Sequence, residues 1–257
     1  MAKKIKKQKI PYVYVATPAY DGKVDADYTR AVAEAAFMCG ANGIRFGMST
    51  LGNGAFIELN RNILVTKFLE NKDFTHLFFI DGDLEFPWAG FINLILADLP
   101  VAAGVYRRRQ EPEDYPGNWL NHPTEKGEDG EEVLWVEDDN WLQCARVPTG
   151  FLCIRRDVIE RMVKDCRKVK IADQPPMPWL FETKIADDGG FIGEDFVWCD
   201  KYMAMYREGI FDKPIQCLVD MDFTHGGYKG NWAKFLLKRV EGLRQKKERA
   251  KLGKKVA

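Results

Sequence analysis

The sequence predicts an α/β fold: a mostly parallel central sheet flanked by helices, with a basic helix at the C-terminus. Two patterns predict it. Between residues 12 and 106, short apolar runs alternate with longer stretches of helical spacing, as parallel strands joined by crossover helices do. From residue 231 on, apolar residues at helical intervals are set among lysines and arginines. A chain of 257 residues is enough for one large α/β domain or two small ones.

The elements follow in order. "YVYVATPAY" (12–20) reads as a buried strand ending in a Thr-Pro turn. The Ala-rich stretch 25–40 reads as a helix, opened by Asp25 and closed by Gly40. Residues 42–50 form a second strand, and 54–71 a helix with an apolar stripe at 56, 59, 63, 64 and 68. "THLFFID" (75–81) is the third strand; 87–98 is a helix with Pro87 at its start, and 100–106 is the fourth strand. The regularity then stops. Residues 107–132 are polar and rich in Pro, Gly and charge, and read as a mobile loop or insertion. Strands at 133–137 and within 144–156 follow, then an amphipathic helix at 157–166. A Gly-hinged loop from 184 leads into a helix starting near Glu194, and 215–227 holds a short strand and a loop. The basic helix covers 231–251, and no internal repeat is present.

The net charge of zero conceals an uneven distribution. Residues 1–10 carry five lysines and no acid, and 229–257 carry eleven Lys or Arg against two Glu; between them, 11–228 carries a charge of −14. Charge runs of this kind are ordinarily solvated tails, and the alternative is contact with a polyanion such as nucleic acid or an anionic membrane surface. No apolar run approaches the roughly 18 residues of a membrane span. The basic N-terminus lacks the apolar core of a signal peptide. Six scattered cysteines without a C-x-x-C pair suit buried thiols in a reducing, cytoplasmic setting.

Chemistry concentrates at the strand ends, where open α/β sheets bind ligands. Thr17-Pro18 follows the first strand, Asp81-Gly82-Asp83 the third and Arg107-Arg108-Arg109 the fourth. Like charges as close as Asp81, Asp83 and Glu85 repel unless a cation joins them. Carboxylates open on one side suit Mg²⁺ or Mn²⁺ shared with a phosphate, although Asp-Gly is equally ordinary at a strand-to-turn junction. Glu194 and Asp195 fall at a helix start, where acids cap well in any case, and the glycines at 189, 190 and 193 suggest a loop closing over a substrate. A carboxylate there could take a proton from a hydroxyl nucleophile. Of three histidines, His225, beside Gly226-Gly227, is the best placed to reach a metal.

This ordered set, the apolar strand with Asp81-Gly82-Asp83, "VPTGFLCIRRDV" (147–158), Gly193-Glu194-Asp195 and then His225, resembles the GT-A glycosyltransferases over residues 11–228. The resemblance implies a single GT-A domain there, with a nucleotide-binding half (11–106) and an acceptor or catalytic half (133–228), and a basic helix or tail at 229–257. It implies a metal-dependent, hexosyltransferase-like enzyme moving a sugar from a nucleotide-diphosphate sugar to an acceptor hydroxyl, with inversion. By it, Thr17, Pro18 and Tyr20 would bind the nucleotide, and Asp81 would face the ribose or the metal. Asp83 and His225 would complete the Mn²⁺ or Mg²⁺ site, and Asp195 would be the base with Glu194 as runner-up. Arg61, Arg108 and Gly150 join the substrate-binding set, with an exposed helix arginine the alternative for Arg61. The acceptor stays open among a glycan, a lipid-linked glycan, a protein and a modified nucleic acid, and 110–132 has no assigned place. Two rival readings are a haloacid-dehalogenase-like phosphatase, from "FFIDGDLEF", and a non-catalytic nucleotide- or polyanion-binding protein.

Overall fold

The computed structural model describes residues 10–52, 54, 56–127, 130–137 and 140–239. Residues 1–9 and 240–257, most of the two basic ends, lie outside the described residues, and so does the polyanion contact expected of them.

The first hundred residues alternate as expected: β1 (Tyr12–Ala19), α1 (Ala26–Ala41), β2 (Arg45–Gly52), α2 (Ile57–Glu70), β3 (His76–Ile80), β4 (Leu84–Glu85), α3 (Trp88–Leu96) and β5 (Val101–Gly104). Five short or edge strands come next, β6 (Asn118–Trp119), β7 (Asn121–Lys126), β8 (Glu132–Leu134), β9 (Val136–Glu137) and β10 (Trp141–Arg146). Then follow β11 (Phe151–Arg155), α4 (Arg156–Asp165), β12 (Lys168–Val169), β13 (Met177–Pro178), β14 (Lys184–Ile185), β15 (Phe191–Ile192) and α5 (Glu194–Arg207). The described chain ends with β16 (Ile215–Leu218), β17 (Phe223–His225), β18 (Tyr228–Gly230) and a helix over 232–239, here α6.

The central sheet runs β2-β1-β3-β11-β5-β16-β10-β6, with β9 also on β10. β1 is parallel to both β2 and β3, and β5 is parallel to β16, so the sheet is largely parallel. β11 lies antiparallel between β3 and β5, and β10 antiparallel beside β16. Strands from 11–106 and from 133–228 therefore interleave in one sheet. β3 is buried along its whole length. Leu77 and Phe79 join the core on the face that holds residues of α2, α4 and α5, while Phe78 and Ile80 join the opposite core with residues of α1 and α3. A strand covered on both faces reads as an uninterrupted apolar run, as "LFFI" does.

Two expectations change. The segment read as a mobile insertion supplies β6 to the sheet and β7, which pairs with β8 in the following expected strand. It also has a packing partner: Trp119 meets Trp232 of α6 edge to face at 5.3 Å, and Tyr115 meets Phe235 at 5.2 Å. The buried side of α2 only partly follows the expected apolar stripe: Leu64 and Phe68 are buried and Phe56 is exposed, while Asn60, Arg61, Asn62 and Val65, off the stripe, are buried too. Polar residues go inward because they are satisfied there. Asn62 accepts from the Leu180 and Phe181 N–H groups at 2.8 and 3.0 Å and donates to the carbonyls of Glu58 and Phe181, both at 2.8 Å.

Replacing Asn62 by Leu leaves those two buried N–H groups without an acceptor, at about 1–3 kcal/mol each. The urea midpoint of Asn62→Leu should drop by an amount equivalent to about 3 kcal/mol with an unchanged slope. A loss under about 0.5 kcal/mol would show that α2 does not depend on this anchor.

Candidate active site

β3 delivers Asp81 to the carboxyl edge of the sheet. The Asp81 N–H donates to the Gly150 carbonyl at 2.9 Å, so the turn before β11 fixes the acid's backbone. The carboxylate faces Arg61 Nη2 at 3.2 Å and accepts from the Tyr106 hydroxyl at 3.4 Å, and the Gly150 N–H donates to that hydroxyl oxygen at 3.1 Å. Burial, reinforced by the Asp81 charge, pushes the Tyr106 phenol well above its ordinary range, so it remains a donor. A Cβ on Gly150 would run into both Tyr106 Oη and the Asp81 carboxylate. Gly150, expected to bind substrate, is thus buried behind the site and seats the two groups that face it.

Arg61 is 3% exposed, which excludes the exposed-arginine alternative. α2 points it between Asp81 and Glu194, whose Oε1 is 3.3 Å from Nε. Burial alone would lower its pKa, but the two carboxylates outweigh burial and the net shift is upward, so it stays charged. Its Nη1 is buried without a protein partner.

Asp83 lies beyond Gly82. A side chain at 82 would crowd Val24, and the Gly82 carbonyl accepts from the Asp25 N–H at 2.8 Å. The small residue thus packs the loop against the start of α1. β17 pairs with β4, placing His225 opposite Leu84, and the Gly226 N–H donates to the Asp83 carbonyl at 3.0 Å. Asp83 Oδ2 then lies 2.7 Å from Arg109 Nη1 and 3.6 Å from His225 Nε2. His225, against the opposing effect of burial, and Arg109 hold the Asp83 carboxyl below its usual range. His225 Nδ1 lies 2.8 Å from the Arg107 carbonyl. Burial opposes charging of this imidazole, but Asp83 and that carbonyl win and its pKa is raised.

Among the described residues, no three His, Cys, Asp or Glu side chains form a group that could hold a metal ion by themselves. Two donors, Asp83 and His225, meet at this edge. Asp83 offers a hard oxygen, and the Arg107 carbonyl occupies His225 Nδ1 and leaves Nε2 facing the acid.

Glu194 and Asp195 open α5, with Gly193 as N-cap. Asp195 Oδ1 accepts from the Phe196 N–H at 2.7 Å. Burial first, then the Glu194 charge, pushes the Asp195 carboxyl up to about 6, despite the opposing pull of that N–H and of Arg61. A carboxylate tuned upward in this way is a stronger base than an ordinary aspartate and is still ionised at neutral pH.

These groups line a cleft of about 690 Å³, which brings together Pro18, Tyr20, Arg61, Asp81, Asp83, Glu194 and Asp195. Tyr20 is 77% exposed at its rim, a free ring face for a planar group. Thr17 is not a contact: it is fully buried and hydrogen-bonded to the Tyr28 hydroxyl. Arg108 and His225 line a second cleft of about 540 Å³, which shares Tyr106, Arg109 and Asp195 with the first. Of the arginine run, Arg108, expected to bind substrate, lines the second cleft, and Arg109 touches Asp83. Sequence reasoning missed Tyr106 and Thr149, which also line the first cleft. β5 ends at Gly104, so strand alternation gives no guide to which arginine turns inward.

No protein-family model matches the chain, and no curated protein matches it. Among solved structures it is similar to A197 from STIV, at 16% identity and a TM-score of 0.49, covering 84% of this chain and 85% of that one. It is also similar to a glycosyltransferase involved in the glycosylation of the major capsid of PBCV-1, at 11% identity and a TM-score of 0.29, covering 59% of this chain and 63% of that one. At these scores neither likeness bears on activity.

Arg61→Met should cost about 3–5 kcal/mol, the usual loss when one partner of a buried ion pair is removed. The penalty falls on ionised carboxylates, so urea unfolding should show a larger loss at pH 8 than at pH 4.5. An equal loss at both pH values would make the effect one of packing alone.

Proposed function

We propose that this protein is a glycosyltransferase that moves a sugar from a nucleotide-diphosphate sugar to an acceptor hydroxyl, with inversion at the anomeric carbon. The observation that carries the reading is the position of Asp195. It is a carboxylate with its pKa pushed up to about 6, on the shared border of two clefts, one of which also holds Asp81 and Asp83. The first cleft takes the donor, with Pro18 and Tyr20 toward the nucleotide and Arg61 and Asp81 at its floor. The second takes the acceptor. Asp195 accepts the hydroxyl proton as the acceptor oxygen bonds to the anomeric carbon. The bond from that carbon to the diphosphate oxygen breaks, and its electron pair leaves with the diphosphate. Asp83 and His225, with Asp81 beside them, would hold Mn²⁺ or Mg²⁺, which supplies positive charge for the leaving group. Arg109 adds a second cation at the same edge.

The test is a screen of nucleotide sugars with Mn²⁺, reading release of nucleoside diphosphate. One donor should be hydrolysed slowly even without acceptor; no release from any donor above the protein-free rate overturns the reading.

Two predictions follow from the residue roles. With Asp195 as the base, kcat/KM should fall about tenfold per pH unit below roughly pH 6. The folded state holds the Asp195 proton more tightly than the unfolded chain, so the stability this group contributes is full below about pH 4 and is lost as pH rises through 6. Asp195→Asn should therefore be inactive yet melt higher than wild type at pH 8, by at most roughly 3 kcal/mol. An inactive variant that is also less stable would mark a structural residue instead.

Asp83→Asn should cut turnover at least about a hundredfold, consistent with several kcal/mol lost at the leaving group. It should also weaken Mn²⁺ binding in the presence of nucleoside diphosphate, followed by paramagnetic resonance of the free ion. Full activity or unchanged Mn²⁺ binding would remove Asp83 from the metal site.

A further inference from the structure

The second cleft has a chemistry of its own. Residues 11–228 carry a charge of −14, yet one wall of this cleft is the arginine run 107–109, and of the residues lining it Asp195 is the only acid. Arg108 is tethered at its base: its N–H donates to the Asp114 carbonyl at 2.8 Å and its Nε lies 2.9 Å from the Asp114 carboxylate. Its side chain is nonetheless about half exposed, 51%. Arg109 gives Nη1 to Asp83 and its side chain is 58% exposed. Two half-exposed arginine side chains thus line one cleft. The lining also includes two aromatic rings, Phe191 and Phe196. Phe191 is 70% exposed on the β14–β15 hairpin, a large apolar ring with nothing over it.

We infer that the acceptor is phosphate-bearing, with its phosphate on Arg108 and Arg109, its ring or carbon skeleton against Phe191 and Phe196, and its hydroxyl at Asp195. The inference rests on the glycosyl-transfer reading of the first cleft. A planar guanidinium matches two phosphate oxygens at once, where a lysine would offer only a point charge. An acidic body repels anions at long range, so a basic wall confined to one cleft selects where an anion is held. The two phenylalanines supply what a bare phosphate site does not need, a surface for the body that carries the phosphate. A sugar phosphate and a phosphodiester strand share this chemistry.

The test separates binding from turnover. Phenyl phosphate and inorganic phosphate are titrated into the full-length protein by calorimetry. Phenyl phosphate should bind more tightly than inorganic phosphate; Arg108→Gln should weaken both about tenfold, and Phe191→Ala should weaken only phenyl phosphate. Equal binding in wild type and Arg108→Gln, or no binding of either probe, overturns the inference. With the donor found by the hydrolysis screen, glucose 6-phosphate and a short single-stranded oligonucleotide are then compared with glucose as acceptors. At least one phosphorylated acceptor should exceed glucose about tenfold in kcat/KM, and Arg108→Gln should remove that preference through acceptor KM. Which one is used identifies the source of the phosphate, and equal use of glucose overturns the inference. If no donor is hydrolysed at all, the glycosyl-transfer reading falls, while the calorimetry still decides whether the cleft is a phosphate site.

Discussion

The site depends on one buried cation. Asp81 ends a core strand and Glu194 opens a helix far along the chain, and both carboxylates meet the guanidinium of Arg61, whose side chain is only 4% exposed. Three ions withdrawn from water cost several kcal/mol each, and mutual attraction repays this only when the geometry is held. The holding is done next door. Asn62 ties α2 to residues 180 and 181 through three hydrogen bonds and adds a fourth to Glu58 within the helix, which holds Arg61, one residue away, in place. Its guanidinium also lies over the Phe79 ring at 5.2 Å, which tolerates a cation on its face. Core packing and site electrostatics are therefore set by adjacent residues of one helix.

The same arrangement accounts for Asp195. One guanidinium serves Asp81 and Glu194 directly and leaves Asp195 a weaker share, so burial and the Glu194 charge prevail and its carboxyl rises to about 6. The fold bears an ionised Asp195 at neutral pH as a cost to stability. That is the state the proposed base needs, since groups with shifted pKa values cluster where chemistry is done.

Much of the fold was legible because local pattern determines it. The alternation of elements from 12 to 106, the buried run of β3 and the helix opening at Glu194 all appear where periodicity and capping residues put them. Strand direction is not a local property. Nothing in "FLCIR" says that β11 runs antiparallel between β3 and β5, yet that insertion brings Gly150 against Asp81. Similarly, polar composition marked 107–132 as loop, whereas Trp119 and Tyr115 within it are held by contact with α6. The candidate residues were legible as types: acids at strand and helix ends, a histidine at a Gly-Gly turn. Their partners were not, since Arg61 looks like any helix arginine until the direction of α2 is known. Thr17 reads as a strand-end contact in the sequence, yet β1 continues through Pro18 to Ala19 and the Thr17 hydroxyl turns inward to Tyr28.

The two acids of the D-x-D pair differ in how freely they can take a ligand. Asp81 faces Arg61 in a buried pair, and drawing that carboxylate away would leave a desolvated guanidinium behind, at a cost of about 3–5 kcal/mol. Asp83 faces Arg109, whose side chain is more than half exposed. Exposed pairs are worth about 0–1 kcal/mol because water replaces the lost partner readily. Arg109 can thus turn from Asp83 toward another anion at little cost, while Arg61 must stay. In the proposed reaction Asp83, with His225 Nε2 beside it, is therefore the aspartate that would give up its internal partner for an external cation at the lower cost, while Asp81 stays paired with Arg61.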